Sequence, residues 1–245
     1  MILENVDSDN IFFTSDASSD KIKELHVKSV EDTYSNNIKR FVLGDNTSRI
    51  LLQDPKLLLF VLSRYKFVSK MINGSSKVLE VGCQEGFGAV VVADTVGHLH
   101  GVDFFEPFIS SCNERFSSYN LNLSFDNHDM LDGPVHGNFD AVFSLDVIEH
   151  IEKNTEEIFM RNIVSSLKDT TGGKVIIGTP TLESQKYASK NSKIGHVNCK
   201  TGDELINLCS KYFHNIFLFS MNDEVVHTGF LPMSHYIFAV CSEKK

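Results

Sequence analysis

Apolar positions along the chain change rhythm twice. Up to residue 50, short clusters such as Ile11-Phe12-Phe13 sit among Ser, Asp and Asn without a sustained period. This predicts loops and short helices laid on a surface. Asp54-Pro55 then has the form of a helix start, with Asp as N-cap and Pro in the first turn. Leu58, Val61, Leu62, Tyr65, Val68 and Ile72 follow at helical spacing, and Asn73-Gly74 ends the helix. From Lys77 short apolar runs alternate with amphipathic stretches. Strands are expected over 78–81, 99–102, 121–125, 139–145, 173–177, 216–221 and 236–241. Helices are expected over 89–96, 107–116, 154–167 and 201–212, with Asn154 and Glu157 as a capping box.

Strand-helix alternation of this kind implies right-handed crossovers and a mainly parallel sheet covered on both faces. The expected fold class is α/β: a Rossmann-like, doubly wound, seven-stranded sheet with an antiparallel last strand and an N-terminal helical cap. The last two strands lack an intervening helix, so an antiparallel pair is expected at the sheet edge. The expected division is a cap over residues 1–73 and a main domain over 74–245.

Composition narrows the classes. The chain has 245 residues and a formal net charge of -9, which disfavours phosphate backbones and hence nucleic-acid partners. The longest aliphatic/aromatic run, residues 57–62, is far short of the roughly 20 residues of a membrane span. The first residues show no basic and apolar leader pattern. Five cysteines without a CxxC pair argue against a disulfide framework or structural zinc and suit a reducing cytoplasm. The expectation is therefore a cytoplasmic protein without membrane or nucleic-acid partners. The 19 Phe leave room for a homo-oligomeric interface.

Ligands of an open parallel sheet sit beyond the carboxyl ends of its strands. The first such end reads Glu80-Val81-Gly82-Cys83-Gln84-Glu85-Gly86-Phe87-Gly88. The dinucleotide fingerprint Gly-x-Gly-x-x-Gly fails in both frames, on Gln84 and Phe87 from Gly82 and on Val91 from Gly86. Glu85 at the helix entry is expected to repel a pyrophosphate. A phosphate-free ligand with a positive centre fits better. Asp103, about twenty residues on, is placed to accept both ribose hydroxyls. Phe104 can pack on an adenine face, Asp129 can accept the adenine amino proton, and Met130 can line the ring pocket.

Three segments carry a family resemblance: Val78 through Gly88, then Gly101-Val102-Asp103, then Phe139 through Asp146-Val147-Ile148-Glu149-His150. Together they resemble a class I S-adenosylmethionine-dependent methyltransferase over roughly residues 60–245. Gln84 departs from the family pattern, which usually has glycine there. The resemblance implies S-adenosylmethionine as cofactor and S-adenosylhomocysteine as product. It implies that Glu80 organises the turn and reaches the methionine end, with Gly82, Cys83, Gln84 and Gly86 forming the loop. Asp103 would hold the ribose, Asp129 and Met130 the adenine, and Leu145 would line the cleft. In the helix Leu62-Ser63-Arg64-Tyr65-Lys66-Phe67, the resemblance makes Arg64 a partner of the cofactor carboxylate; an exposed helix charge is the alternative.

Methyl transfer requires alignment above all, and a base only where the acceptor carries a proton. His150 is the candidate base, with Asp146 and His196 beside it; loop satisfaction by Glu149 and His150 is the plainer alternative. The set Asp146, Glu149, His150 and His196 also resembles the carboxylate/histidine metal set of small-RNA 2'-O-methyltransferases. A divalent metal is therefore an alternative, disfavoured because similar Glu-His segments are widespread among metal-free relatives. Residues 223–234 read as a lid or a long hairpin loop.

The expected activity is methyl transfer to an oxygen or nitrogen of a small-molecule or sugar-like acceptor. The competing readings are an NAD-dependent Rossmann oxidoreductase and a non-catalytic nucleoside-binding module of the same fold.

Overall fold

The computed structural model describes residues 18–35, 40–168 and 172–245. The Ile11-Phe12-Phe13 cluster lies outside them. The chain divides into two units, Met1–Val42 and Leu43–Lys245. The first contains the helix α1 (Ser19–Ser35), on which Ile22, Leu25, Val27 and Val30 are exposed.

The second unit opens with α2 (Asp45–Gln53) and α3 (Pro55–Met71), the latter capped by the Asp54 carboxylate accepting from Leu57 N–H, as the sequence predicts. The alternating region follows as β1 (Lys77–Val81), α4 (Ala89–Ala93), β2 (His98–Asp103), α5 (Glu106–Phe116), β3 (Leu123–Asn127), β4 (Ala141–Leu145), α6 (Glu156–Ser166) and β5 (Lys174–Pro180). It closes with α7 (Lys190–Gly195), α8 (Gly202–Ser210), β6 (Phe213–Asn222), β7 (Val225–His227) and β8 (Tyr236–Lys244).

The strands form one sheet in the order β3-β2-β1-β4-β5-β8-β6-β7. β3, β2, β1, β4 and β5 are parallel, and β8 runs antiparallel between β5 and β6. Chain order reverses between β1 and β4, which opens the ligand crevice beyond their carboxyl ends. Apart from the exposed Lys77 that opens β1, both β1 and β4 are buried throughout and apolar except at Glu80 and Ser144, consistent with strands covered from both sides.

Three expectations change. The sheet has eight strands rather than seven among the described residues. The extra strand, β7, is the return arm of a hairpin whose Asp223 takes a left-handed φ of 51°. The antiparallel β6–β8 pair exists, but β8 lies inside the sheet. Its Tyr236, Ile237, Phe238, Ala239 and Cys241 are all buried, a pattern suited to an interior strand. The Asn154 capping box is absent. Thr155 occupies the N-cap of α6 without a side-chain cap, and its hydroxyl donates to the Glu152 carbonyl at 3.1 Å. A capping box does form at α8, where Thr201 accepts from Glu204 N–H and Glu204 accepts from Thr201 N–H.

Candidate functional site

The turn after β1 is built around two left-handed glycines and one left-handed glutamine. Gly82 has φ 81°, and a Cβ there would stand 2.2 Å from Val147 Cγ2. Gly86 has φ 69° and sits against Phe125 and Cys112, so it serves close packing on β3 and lines neither half of the cleft. Gln84 holds φ 47°, the conformation a glycine adopts freely. Its side chain is exposed, with Oε1 accepting from Asn46 Nδ2 at 3.4 Å. Cys83 is buried beside it.

The cleft has two chambers that share Gly82, Gln84, Asp146 and His150. The first, of about 520 Å³, is lined by Val102, Asp103, Phe104, His128, Asp129 and Met130 among others. Asp103 is buried at the end of β2, with Oδ2 accepting from Gln84 N–H at 3.0 Å and Oδ1 from Phe105 N–H at 2.9 Å. Each oxygen keeps a further lone pair for a ligand hydroxyl. Phe104 is 72% exposed at the mouth. Asp129 Oδ1 accepts from Leu131 N–H at 2.8 Å, and Met130 is buried with its carbonyl held by Asn162 Nδ2.

The second chamber, of about 360 Å³, lies between α2–α3 and the carboxyl end of β4. Leu145 ends β4 and lines it. Arg64 Nη1 donates to Asp146 Oδ2 at 2.6 Å, with the guanidinium 4.0 Å over the Tyr236 ring. The cation expected for a cofactor carboxylate is thus already ion-paired. Asp146, placed by sequence among the reacting groups, is the partner that holds it, at a left-handed φ of 57°. Beneath the turn, Tyr65 OH donates to Glu80 Oε1 at 2.6 Å, and Glu80 Oε2 is buried without a partner. Burial, reinforced by the Asp103 charge, pushes Glu80 up to about 7 despite the Tyr65 bond.

A histidine pair faces the same chamber. His150 Nδ1 lies 2.8 Å from the Gly195 carbonyl, and His196 Nδ1 lies 2.8 Å from Gln185 Oε1. Both acceptors require a proton on Nδ1, which leaves Nε2 of each ring as the lone-pair nitrogen. The rings meet edge to face at 5.1 Å. Burial and the neighbouring His150 hold His196 below the ordinary histidine range. Glu149 is buried, accepts from the Thr179 hydroxyl at 3.0 Å, and is pushed up to about 8 by burial and by Asp146. Ligand atoms of Glu149, His150 and His196 all lie within 4.8 Å of one another; Asp146 is not in that group.

Sequence reasoning misplaced one residue of the turn. The Glu85 carboxylate does not face the entry of α4. It is buried and accepts from Asn46 N–H, Thr47 N–H and Thr47 Oγ1, each at 2.9 Å, at the start of α2. Its charge is satisfied there and gives no argument against a pyrophosphate. Tyr65, His128, Thr179, Gln185 and Tyr236 were also missed as parts of the site. Tyr65 had a local signal, one position from Arg64 on the same helix; the others reach the cleft only through the fold.

Residues 78–170 match a methyltransferase domain family. The chain is 28% identical over 164 residues to the phosphoethanolamine N-methyltransferase of Plasmodium falciparum, covering 65% of this chain and 53% of that protein. It therefore spans about half the length of the curated relative it matches. The fold is shared with the N-methyltransferase NodS of Bradyrhizobium japonicum in complex with S-adenosylhomocysteine. That likeness has a TM-score of 0.57 at 17% identity, over 88% of this chain and 97% of that one. It is shared equally with the methyltransferase domain of bacterial CtHen1, with a TM-score of 0.61 at 18% identity, over 77% of this chain and all (100%) of that one. Sheet, turn and domain match agree: this α/β region carries a methyltransferase domain match and resembles the class I S-adenosylmethionine-dependent methyltransferases, whose cofactor is S-adenosylmethionine.

The residues present fit that group. An apolar slot sits beside a carboxylate presented at the end of β2. The Gly82 floor tolerates no Cβ, and a buried Glu80 oxygen lacks a partner beneath the turn. Among the described residues, no helix is long and apolar enough to cross a membrane.

Proposed function

We propose that the chain methylates an oxygen or nitrogen of a small-molecule or sugar-like acceptor. Asp103 holds the ribose hydroxyls, Asp129, Met130 and Phe104 the adenine, and Glu80, Gly82, Cys83, Gln84, Gly86 and Leu145 form or support the methionine side. Arg64 shapes that side through its ion pair with Asp146 rather than as a free cation. The part of residues 1–73 assigned to the acceptor side is α2 and α3, which line the second chamber.

When bound, S-adenosylmethionine supplies a methyl carbon already activated by a sulfonium charge. The chain's own work is alignment and proton removal. His150 Nε2 accepts the proton of the acceptor hydroxyl or ammonium, while the Nδ1–H bond to the Gly195 carbonyl fixes the tautomer and steadies the imidazolium. His196, held by Gln185, backs the ring.

The observation carrying this reading is Asp103, a buried carboxylate fixed by two main-chain donors at the mouth of an apolar slot. Parallel calorimetric titrations with S-adenosylmethionine, S-adenosylhomocysteine and NAD test it. Binding of the first two and not the third is expected; NAD binding alone returns the oxidoreductase reading. Incubation with methyl-labelled donor and fractionated cell extract tests the acceptor class. Label is expected in the low-molecular-weight fraction, and label in RNA overturns the small-molecule assignment.

A metal-assisted variant of this reading is favoured by one observation, the convergence of ligand atoms of Glu149, His150 and His196 within 4.8 Å of one another. Histidines anchored through Nδ1 are the usual arrangement of metal ligands, and a divalent ion there would act as a Lewis acid. Full methyl transfer in excess chelator removes that variant.

A further inference from the structure

The Glu85 side chain ties two walls of the cleft together. Its main chain belongs to the turn after β1, where the carbonyl accepts from Arg115 Nη2 of α5 at 2.5 Å. Its carboxylate leaves the turn and closes on α2, taking Asn46 N–H on Oε1 and Thr47 N–H and hydroxyl on Oε2. The two N–H groups are main-chain donors of the first helical turn, which no intrahelical carbonyl can satisfy. The Gly44 N-cap offers no side-chain cap of its own. Gly44 is also a fitted position: a Cβ there would stand 2.4 Å from Glu85 Cδ. Its φ of -67° suits any residue, so what the position demands is room for the carboxylate. A second, weaker tie joins Asn46 Nδ2 to Gln84 Oε1.

α2 also lines the second chamber, through Asn46, Thr47 and Ile50, opposite Asp146 and His150. The same turn borders the first chamber through Gly82 and Gln84. We infer that Glu85 is a positioning residue: it locks α2 to the cofactor turn, so that cofactor occupancy steadies the α2 wall of the second chamber. The inference rests on the assignment of the turn to the cofactor and extends it to the opposite wall. The physical basis is a buried anion with three donors at a helix N-terminus, a strong local arrangement with no substitute on α2 itself.

Hydrogen–deuterium exchange of the full chain, with and without S-adenosylhomocysteine, tests it. In the wild type, the ligand is expected to slow exchange across residues 44–53 as well as across the turn. In Glu85→Gln an amide group faces N–H donors, and ligand-free exchange over 44–53 is expected to rise about tenfold. Calorimetry is expected to show the ligand still bound by this variant, without protection of α2. Gly44→Ala displaces the carboxylate while leaving Glu85 intact, and is expected to give the same signature. A merely structural role would not remove the ligand dependence of α2 while leaving binding in place. Wild-type exchange rates over 44–53 in both variants overturn the inference, as does retained ligand protection of α2. Failure of the wild type to bind the ligand removes the cofactor assignment instead. The ligand-free comparison then still decides whether Glu85 holds α2.

Discussion

The main-chain N–H of Gln84 donates to Asp103 Oδ2 across 3.0 Å, which joins the turn after β1 to the end of β2 as one hydrogen-bonded unit. Asp103 thus has two tasks, to present oxygens to the first chamber and to fix the turn that floors it. Asp103→Ala is expected to weaken S-adenosylhomocysteine binding by roughly 1–3 kcal/mol, and Asp103→Asn, with one acceptor oxygen left, by less. Calorimetric titration measures both. Unchanged affinity in the Ala variant refutes the ribose assignment.

Gln84 occupies a left-handed position at φ 47°. Relative to Gln84→Ala, which keeps the strained backbone and deletes the amide, Gln84→Gly is expected to be more stable by about 1 kcal/mol. The difference is read from paired thermal melts. An alanine variant as stable as the glycine variant shows that the backbone is not strained there.

How far the cleft was legible in the sequence follows from the reach of each contact. The turn from Glu80 to Gly88 and the aspartate ending β2 are local patterns, and glycine spacing with strand periodicity located them. The tautomers of His150 and His196 depend on Gly195 and Gln185, which no spacing reveals. Arg64 and Asp146 are 82 positions apart, so their pairing followed only from the packing of α3 against the end of β4. Glu85 misled because a carboxylate at a helix entry reads as belonging to that helix, whereas it serves a helix 38 positions earlier. The place of β8 was hidden for a similar reason: its apolar run marked it as buried without saying which neighbours bury it.

Stability should depend on pH through two buried carboxyls. Burial holds Glu80 up to about 7 and Glu149 up to about 8, both from 4.5. The folded state then binds more protons than the unfolded chain across this window. Their contribution is fully present below about pH 4.5 and is lost as pH rises through about 7 and about 8, by at most about 1.4 kcal/mol per pH unit for each group. His98, His100 and His196, held below the ordinary histidine range chiefly by burial, act with the opposite sign. The carboxyl part is therefore isolated by comparison with Glu149→Gln, whose side-chain oxygen can still accept from Thr179. Thermal melts between pH 5 and pH 8.5, about the span of the two titrations, are expected to fall less steeply in the variant. Parallel profiles would show that Glu149 is ionised throughout.

The loop carrying His196 is anchored by a buried polar cluster, and that cluster can be tested without any knowledge of the acceptor. Lys200 Nζ is paired with Glu156 Oε2 and donates to Asn198 Oδ1 at 2.5 Å, while Asn198 Nδ2 donates to Glu156 Oε2 at 2.7 Å. All three residues are buried. The main chain on either side is fixed as well, Val197 and Asn198 N–H donating to the Glu149 carbonyl and Leu182 N–H to the Lys200 carbonyl. Lys200→Met strands the Glu156 charge in the interior and is expected to destabilise the fold by roughly 3–5 kcal/mol. Adding Glu156→Gln removes the stranded charge and is expected to recover a large part of that loss, so the double-mutant cycle should show strong coupling. Denaturant unfolding of the four proteins measures it. Additive losses would mean that Lys200 and Glu156 stabilise the loop independently, and that the pair is not what holds His196 against His150.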